Sequence, residues 1–141
     1  YLSGREFTVG IIGTGQRATA IGAMEIVVDK TEQQGIYSYK SKQEYKKWVT
    51  YKTIEPEIEK ECKKIALDVW KALNCFDGGR VDLKMDGQGI LHFLEVNPLA
   101  GLNPIDSDLP ILAALNGISY QNLIRLIMKN ACERLEIKHE F

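Results

Sequence analysis

Twice along this chain a run of β-branched and aromatic residues is closed by a glycine-bearing turn and followed by a second such run, a pattern that permits little besides antiparallel sheet. The first run, Glu6 to Ile12, leads through Gly13-Thr14-Gly15-Gln16 into Ala18 to Val28. The second pair, Arg80 to Met85 and Ile90 to Val96, flanks Asp86-Gly87-Gln88-Gly89. Glycine and aspartate supply the positive φ angles that tight reversals need, so each pair is predicted to form a β-hairpin. Gly13-Thr14-Gly15 has neither the GxxxxGK[ST] nor the GxGxxG spacing, and reads as a turn rather than a phosphate loop.

Helices are read from apolar spacing. Pro56 is a good first helical residue, and Ile58, Cys62, Ile65, Ala66, Val69, Trp70 and Leu73 then form one stripe, predicting a helix that ends near Asn74. Asp108 to Asn116 suits a short helix stopped by Gly117. Ser119 can cap a last helix with its stripe at Leu123, Ile124, Ile127, Met128, Ala131, Cys132 and Leu135. Pro98 and Pro104 around Gly101 make Asn97 to Ser107 a loop, a usual place for binding chemistry. Asp29 to Thr53, polar and lysine-rich, reads as a long functional loop with short extended or helical pieces. The expected architecture is α+β: an antiparallel sheet built from the two hairpins, with the helix from Pro56 and the C-terminal helices on one face and an open cleft on the other.

Length and charge narrow the function. A chain of 141 residues fits one domain and can bury roughly 68–70% of its unfolded surface. With 18 Lys plus Arg against 19 Asp plus Glu, net charge -1, there is no general attraction to nucleic acid or an anionic membrane, so phosphate must be bound locally. The aromatics Tyr37, Tyr39, Trp48 and Tyr51 therefore do not read as a nucleic-acid platform. Three cysteines, Cys62, Cys75 and Cys132, with no CxxC pair fit buried thiols in a reducing compartment. His92 and His139 have no partner at metal-ligand spacing. No apolar run approaches the ~18 residues of a membrane span, and the expected localisation is cytoplasmic. The chain opens with Tyr1-Leu2-Ser3-Gly4 rather than Met, and is read as part of something longer.

The most informative residues are polar ones inside strands. By the two-residue period, Arg80 and Asp82 share one strand face, with Val81 and Leu83 on the other. On the partner strand Glu95 and Asn97 share a face, with Leu94 and Val96 opposite. If the Asp-Gly turn makes the strands neighbours, both polar pairs can enter one cleft. The oxygens of Asp82, Glu95 and Asn97 beside the fixed charge of Arg80 suit a hard cation holding a nucleotide triphosphate. From spacing alone, a solvated outer hairpin face with a charged ladder accounts for them equally well.

The strand Gly79-Arg80-Val81-Asp82, the strand Phe93-Leu94-Glu95-Val96-Asn97 running into Pro98-Leu99-Ala100-Gly101, and the opening Leu2-Ser3-Gly4-Arg5-Glu6-Phe7-Thr8-Val9 occur in this order. Together they resemble the ATP-grasp ligases, most closely the D-alanine–D-alanine ligase family. The similarity runs to the Gly117-Ile118-Ser119 turn and last helix, and corresponds to the C-terminal half of such an enzyme.

The resemblance implies roles. Asp82 and Glu95 would hold one Mg²⁺ and Glu95 with Asn97 a second, Mn²⁺ being an alternative at both. Arg80 would stabilise negative charge at the reacting centre, and the Gly101 backbone N–H would contribute to an oxyanion site. Ser107 falls near the serine that binds a substrate carboxylate, in a loop one residue longer than the usual pattern. Glu6 would take the ribose hydroxyls, Leu2 and Leu94 would contact adenine, and Lys42 would reach the ATP phosphates. For the two leucines core packing is the competing reading; for Lys42 it is plain solvation. Gln43 stands where the ligases often carry an aromatic residue over the second substrate.

The implied function is that of a fragment of an ATP-dependent carboxylate–amine ligase of peptidoglycan precursor synthesis, working through an acyl phosphate. Residues 1–141 would be the C-terminal portion of an ATP-grasp domain. A substrate-binding N-terminal domain and a lid would precede residue 1, so that the fragment alone is expected to be inactive. Implied partners are ATP, D-alanine, that N-terminal domain and a second copy in a homodimer, with neither nucleic acid nor membrane. Rival expectations are an ATP-grasp ligase for a different amino acid or carboxylate, and a non-catalytic nucleotide-binding domain.

Overall fold

The computed structural model describes residues 2–28 and 49–138. Both predicted hairpins form: β1 (Glu6–Ile12) with β2 (Thr19–Val28), and β4 (Gly78–Met85) with β5 (Leu91–Asn97). Within the segment expected to be a loop with short extended or helical pieces, β3 (Val49–Lys52) pairs with β2. The sheet is antiparallel throughout, in the order β3-β2-β1-β4-β5. Its two hairpins are joined through the β1–β4 pairing at the centre. Among the described residues three α-helices form where they were predicted, α1 (Pro56–Ala72), α2 (Asp108–Leu115) and α3 (Tyr120–Arg134), and a short 3-10 helix (Gly15–Arg17) lies in the first hairpin's connection.

Turn chemistry explains the boundaries. Asp86 closes the second hairpin with its own side chain, Oδ1 accepting from Gln88 N at 2.8 Å and Ile90 N at 3.0 Å, while Gly89 adopts φ 84°. The first turn is tied down from outside: Gly13 N donates to Asp77 O, and the Thr14 hydroxyl accepts from Asp77 N. Ser119 caps α3 through Asn122 N, and Gly117, at φ 76°, ends the turn before it.

The helices divide between the faces of the sheet. Phe7, Val9 and Ile11 of β1 join Val81 and Leu83 of β4 against Cys62, Ala66 and Trp70 of α1. Trp70 is fully buried and its Nε1–H donates to Gly13 O at 3.0 Å, so the largest core side chain leaves no unpaired donor. Arg5 ties this side together, making a two-pronged contact at 2.9 Å with Glu25 on β2 and another with Glu55 at the head of α1. The expectation that the C-terminal helices share α1's face is corrected. Ile12 packs with Leu109, Ala113 and Leu123 in a second cluster on the opposite face, at one end of the face expected to carry the cleft. An apolar stripe shows that a helix must dock but not on which side of a sheet it does so.

Two glycines make the seat for α2. Gly10 and Gly22 pair across β1 and β2. A Cβ on Gly10 would lie 2.8 Å from a Leu112 methyl and 3.0 Å from a Leu109 methyl, and one on Gly22 would fall on the Asn116 amide. A flat backbone patch thus lets the helix lie close on the sheet.

Gly79 is the corresponding tight point on α1's side, where a Cβ would meet the Asn97 carbonyl at 2.5 Å and the Trp70 ring at 2.8 Å. We expect Gly79→Ala to cost about 1–3 kcal/mol, read as a lower urea midpoint with an unchanged slope. A neutral result would show that β4 and Trp70 pack more loosely than described.

Candidate active site on the open face of the sheet

Register places the polar residues. Glu6 lies opposite Lys84, Thr8 opposite Asp82 and Gly10 opposite Arg80, so these side chains share the face turned away from α1. On β5, Phe93 is opposite Leu83 but Glu95 is opposite Asp82, with the register shifting in between. Leu94 is therefore an extra residue, a β-bulge. Under plain alternation, a Phe93 in phase with Leu83 would carry Glu95 onto α1's side as well. The bulge changes the phase: Leu91 and Val96 both reach the α1 core, while Glu95 and Asn97 join Arg80 and Asp82. The regular strand read from sequence is corrected here, although the convergence it anticipated is present. Leu94, 47% exposed, is outside the core, and Leu2 is half-buried.

The four residues form one connected web. Asp82 is 6% exposed. Its Oδ1 accepts from the Thr8 hydroxyl at 2.6 Å and its Oδ2 from Asn97 Nδ2 at 3.0 Å, with Arg80 NH2 3.3 Å away. The same Asn97 amide donates to Glu95 Oε1 at 3.1 Å. Burial pushes the Asp82 carboxyl up to about 6, Glu95 adding to the rise while Thr8 and Arg80 oppose it. Glu95 is held below its ordinary range by the Asn97 amide first and by Asp82 second. Asp82 is thus the member of the pair that takes a proton first and Glu95 the one that keeps its charge.

Two further residues of this face went unnoticed as site residues in the sequence. Asp108, the first residue of α2, pairs through Oδ2 with Arg80 NH1, and its Oδ1 accepts from the Tyr51 hydroxyl at 2.6 Å. Thr8 reads in sequence as an ordinary strand residue. Arg80 Nε is buried with no acceptor among the described residues. At the far end of the face Lys84 Nζ contacts Glu6 Oε2 at 2.9 Å. Gly101 and Ser107 are brought together, since a Cβ on Gly101 would lie 2.7 Å from Ser107 Oγ. That oxygen accepts from Asn103 N at 3.1 Å rather than capping α2. Lys42, Gln43 and His139 lie outside the described residues. His92 pairs with Asp86 at 2.8 Å on the hairpin turn, apart from the web.

Chemically, Asp82, Glu95 and Asn97 offer two carboxylates and an amide oxygen, the hard donors a Mg²⁺ ion prefers, beside a guanidinium whose Nε–H has no acceptor among the described residues. Among the described residues no group of three or more His, Cys, Asp or Glu could hold a metal. A cation at Asp82, Glu95 and Asn97 would therefore take the rest of its shell from ligand oxygens and water. A cavity of about 590 Å³ between the 98–102 loop and α3 is a separate feature, lined by Leu73, Phe76, Leu102 and Ile127 and by the Asp77–Arg134 pair, with none of the web residues. No described helix is long and apolar enough to cross a membrane.

An α+β sheet with an acidic, arginine-bearing face is the class of domain defined so far. The sequence model of the D-ala D-ala ligase C-terminus matches residues 1–129, and the chain belongs to that family. A D-alanine–D-alanine ligase of Fervidobacterium nodosum is 34% identical over 139 residues, covering 96% of this chain and 42% of that protein. The D-alanine–D-alanine ligase of Bacillus anthracis complexed with ATP superposes with a TM-score of 0.68 at 27% identity, over 96% of this chain and 40% of that one. The fold is also that of the VanG D-Ala:D-Ser ligase of Enterococcus faecalis, with a TM-score of 0.72 at 22% identity over 92% of this chain and 37% of that one. The chain thus spans about two fifths of the proteins it resembles.

The buried carboxylate has a measurable consequence. Between about pH 4 and 6 the native Asp82 carboxyl keeps a proton that the unfolded chain has released, so the stability it contributes is greatest below about pH 4 and falls as the pH rises to about 6. At about 1.4 kcal/mol for each tenfold change in proton affinity, the fall is on the order of 3 kcal/mol. Glu95, with its lowered pKa, works in the opposite sense and loses its contribution as the pH drops. Urea titrations without divalent cations should show the decline between pH 4 and 6 in the unaltered protein and lose it in Asp82→Asn.

Proposed function

We propose that the chain is the C-terminal portion of the ATP-grasp domain of an ATP-dependent carboxylate–amine ligase, a D-alanine–D-alanine ligase of peptidoglycan precursor synthesis. The observation that carries this reading is the convergence of Arg80, Asp82, Glu95 and Asn97 on one sheet face beside the Gly101–Ser107 contact. Membership of the ligase family and likeness to an ATP-bound ligase support it.

The substrate carboxylate of the first D-alanine attacks the γ-phosphorus of ATP, giving an acyl phosphate and ADP. The amine of the second D-alanine then adds to the acyl carbon, and phosphate leaves from the tetrahedral intermediate. Asp82, Glu95 and Asn97 would hold Mg²⁺ ions, which when bound would neutralise charge on the phosphoryl group. Arg80, whose buried Nε–H lacks an acceptor among the described residues, and the Gly101 N–H meet the negative charge that develops on the acyl oxygens. Glu6 takes the ribose hydroxyls, which requires it to loosen its contact with Lys84. Leu2 and Leu94, neither buried in the core, line the adenine, Lys42 reaches the phosphates and Ser107 binds the acceptor carboxylate. The protein positions substrates and stabilises charge, and the neighbouring domain and lid complete the site. Localisation in the cytoplasm, where ATP is available, follows from the same reading.

In the full-length protein, coupled ADP release across D- and L-amino acids tests the assignment. D-alanine should support turnover, and Glu95→Gln should reduce it by at least about 100-fold with an unchanged circular dichroism spectrum. Turnover only with an L-amino acid or another carboxylate would retain ATP-grasp chemistry and remove the narrower assignment. No turnover with any carboxylate, together with ATP binding, would favour a non-catalytic nucleotide-binding domain.

A further inference from the structure

Arg80 is held from two directions. Its NH2 faces Asp82 on its own strand and its NH1 meets Asp108 on α2, while Nε has no acceptor among the described residues. An arginine on a long side chain can swing through many rotamers, and a single ion pair would leave the guanidinium plane free to turn. Contacts at both terminal nitrogens fix that plane. Asp108 is fixed in turn, because its second oxygen accepts from the Tyr51 hydroxyl at 2.6 Å. Both carboxylate oxygens are thus engaged, one by β4 and one by β3.

The pair is mounted on paired strands and a closely seated helix. Tyr51 lies opposite Ile26 in the β2–β3 ladder. α2 is seated on Gly10 and Gly22, and Gly10 is the direct strand neighbour of Arg80. Helix seat and guanidinium are thereby in register. An acidic residue in the first turn of a helix also has an ordinary use, offsetting the helix dipole. That use requires neither the Tyr51 hydroxyl nor a guanidinium partner.

We propose that Asp108, oriented by Tyr51, is a positioning residue that aims the Arg80 guanidinium at the reacting centre. The inference rests on the reading of Arg80 as the group that meets developing negative charge. Asp108 itself touches no reacting atom. Its effect should therefore fall on the chemical step rather than on nucleotide binding.

The test uses the full-length protein. Asp108→Asn should lower kcat about 10–100-fold with the KM for ATP within about twofold, as expected for loss of a supporting contact. Asp108→Glu should recover part of the loss. Tyr51→Phe, which removes only a hydroxyl, should act in the same direction by less. The double variant should be no worse than Asp108→Asn, because the hydroxyl acts through the carboxylate. Additive losses, an unchanged kcat, or a rise confined to KM would overturn the proposal. Arg80→Ala separates the two readings: if it keeps full turnover, the role given to Arg80 fails first. Selective ¹⁵N-arginine labelling then decides the clamp without activity. The Arg80 Nε–H signal, assigned by its loss in Arg80→Lys, should exchange with water at least about tenfold faster in Asp108→Asn. An unchanged exchange rate would show that Asp108 does not hold the guanidinium.

Discussion

A carboxylate inside a sheet is an expensive thing to bury, and much of this structure is arranged around Asp82. Removed from water, it must find hydrogen bonds or give up its charge. Thr8 from β1, Asn97 from β5 and Arg80 from its own strand supply those contacts, so three adjacent strands converge on one side chain. Even so, its pKa stands near 6. A group held that far from its ordinary range gains from a nearby cation, consistent with the metal-holding role proposed for it.

That convergence depends on two irregularities. The bulge at Leu94 lets β5 serve the α1 core with Leu91 and Val96 and the polar face with Glu95 and Asn97. The bare backbone at Gly10 and Gly22 lets α2 descend onto the same face and bring Asp108 to Arg80. One irregularity assembles the carboxylates and the other the second anchor of the guanidinium. Both sit beside candidate site residues, where bulges and close backbone approaches are common.

The covered and open parts of the polar face have different tasks. α2 and α3 close the end near Ile12, where Leu109, Ala113 and Leu123 make a small core. At the other end of the face Lys84 pairs with Glu6. The chain matches about two fifths of its relatives' length.

The sequence by itself determined the hairpins, all three helices and the loop between the prolines, because turn residues and apolar periodicity act over a few residues. It also named Arg80, Asp82, Glu95 and Asn97, since polar residues inside strands stand out against a two-residue period. Thr8, Tyr51 and Asp108 carried no such signal: a threonine in a strand, a tyrosine in a polar segment and an acid opening a helix are ordinary where they stand. Only the tertiary structure decided that Tyr51 and Asp108, 57 positions apart, would meet at Arg80. It alone placed α2 on the polar face and Leu94 in a bulge. The physical reason is that a helix stripe or strand alternation specifies which residues must be covered. What covers them, and in which phase, is settled by packing between elements far apart in the chain.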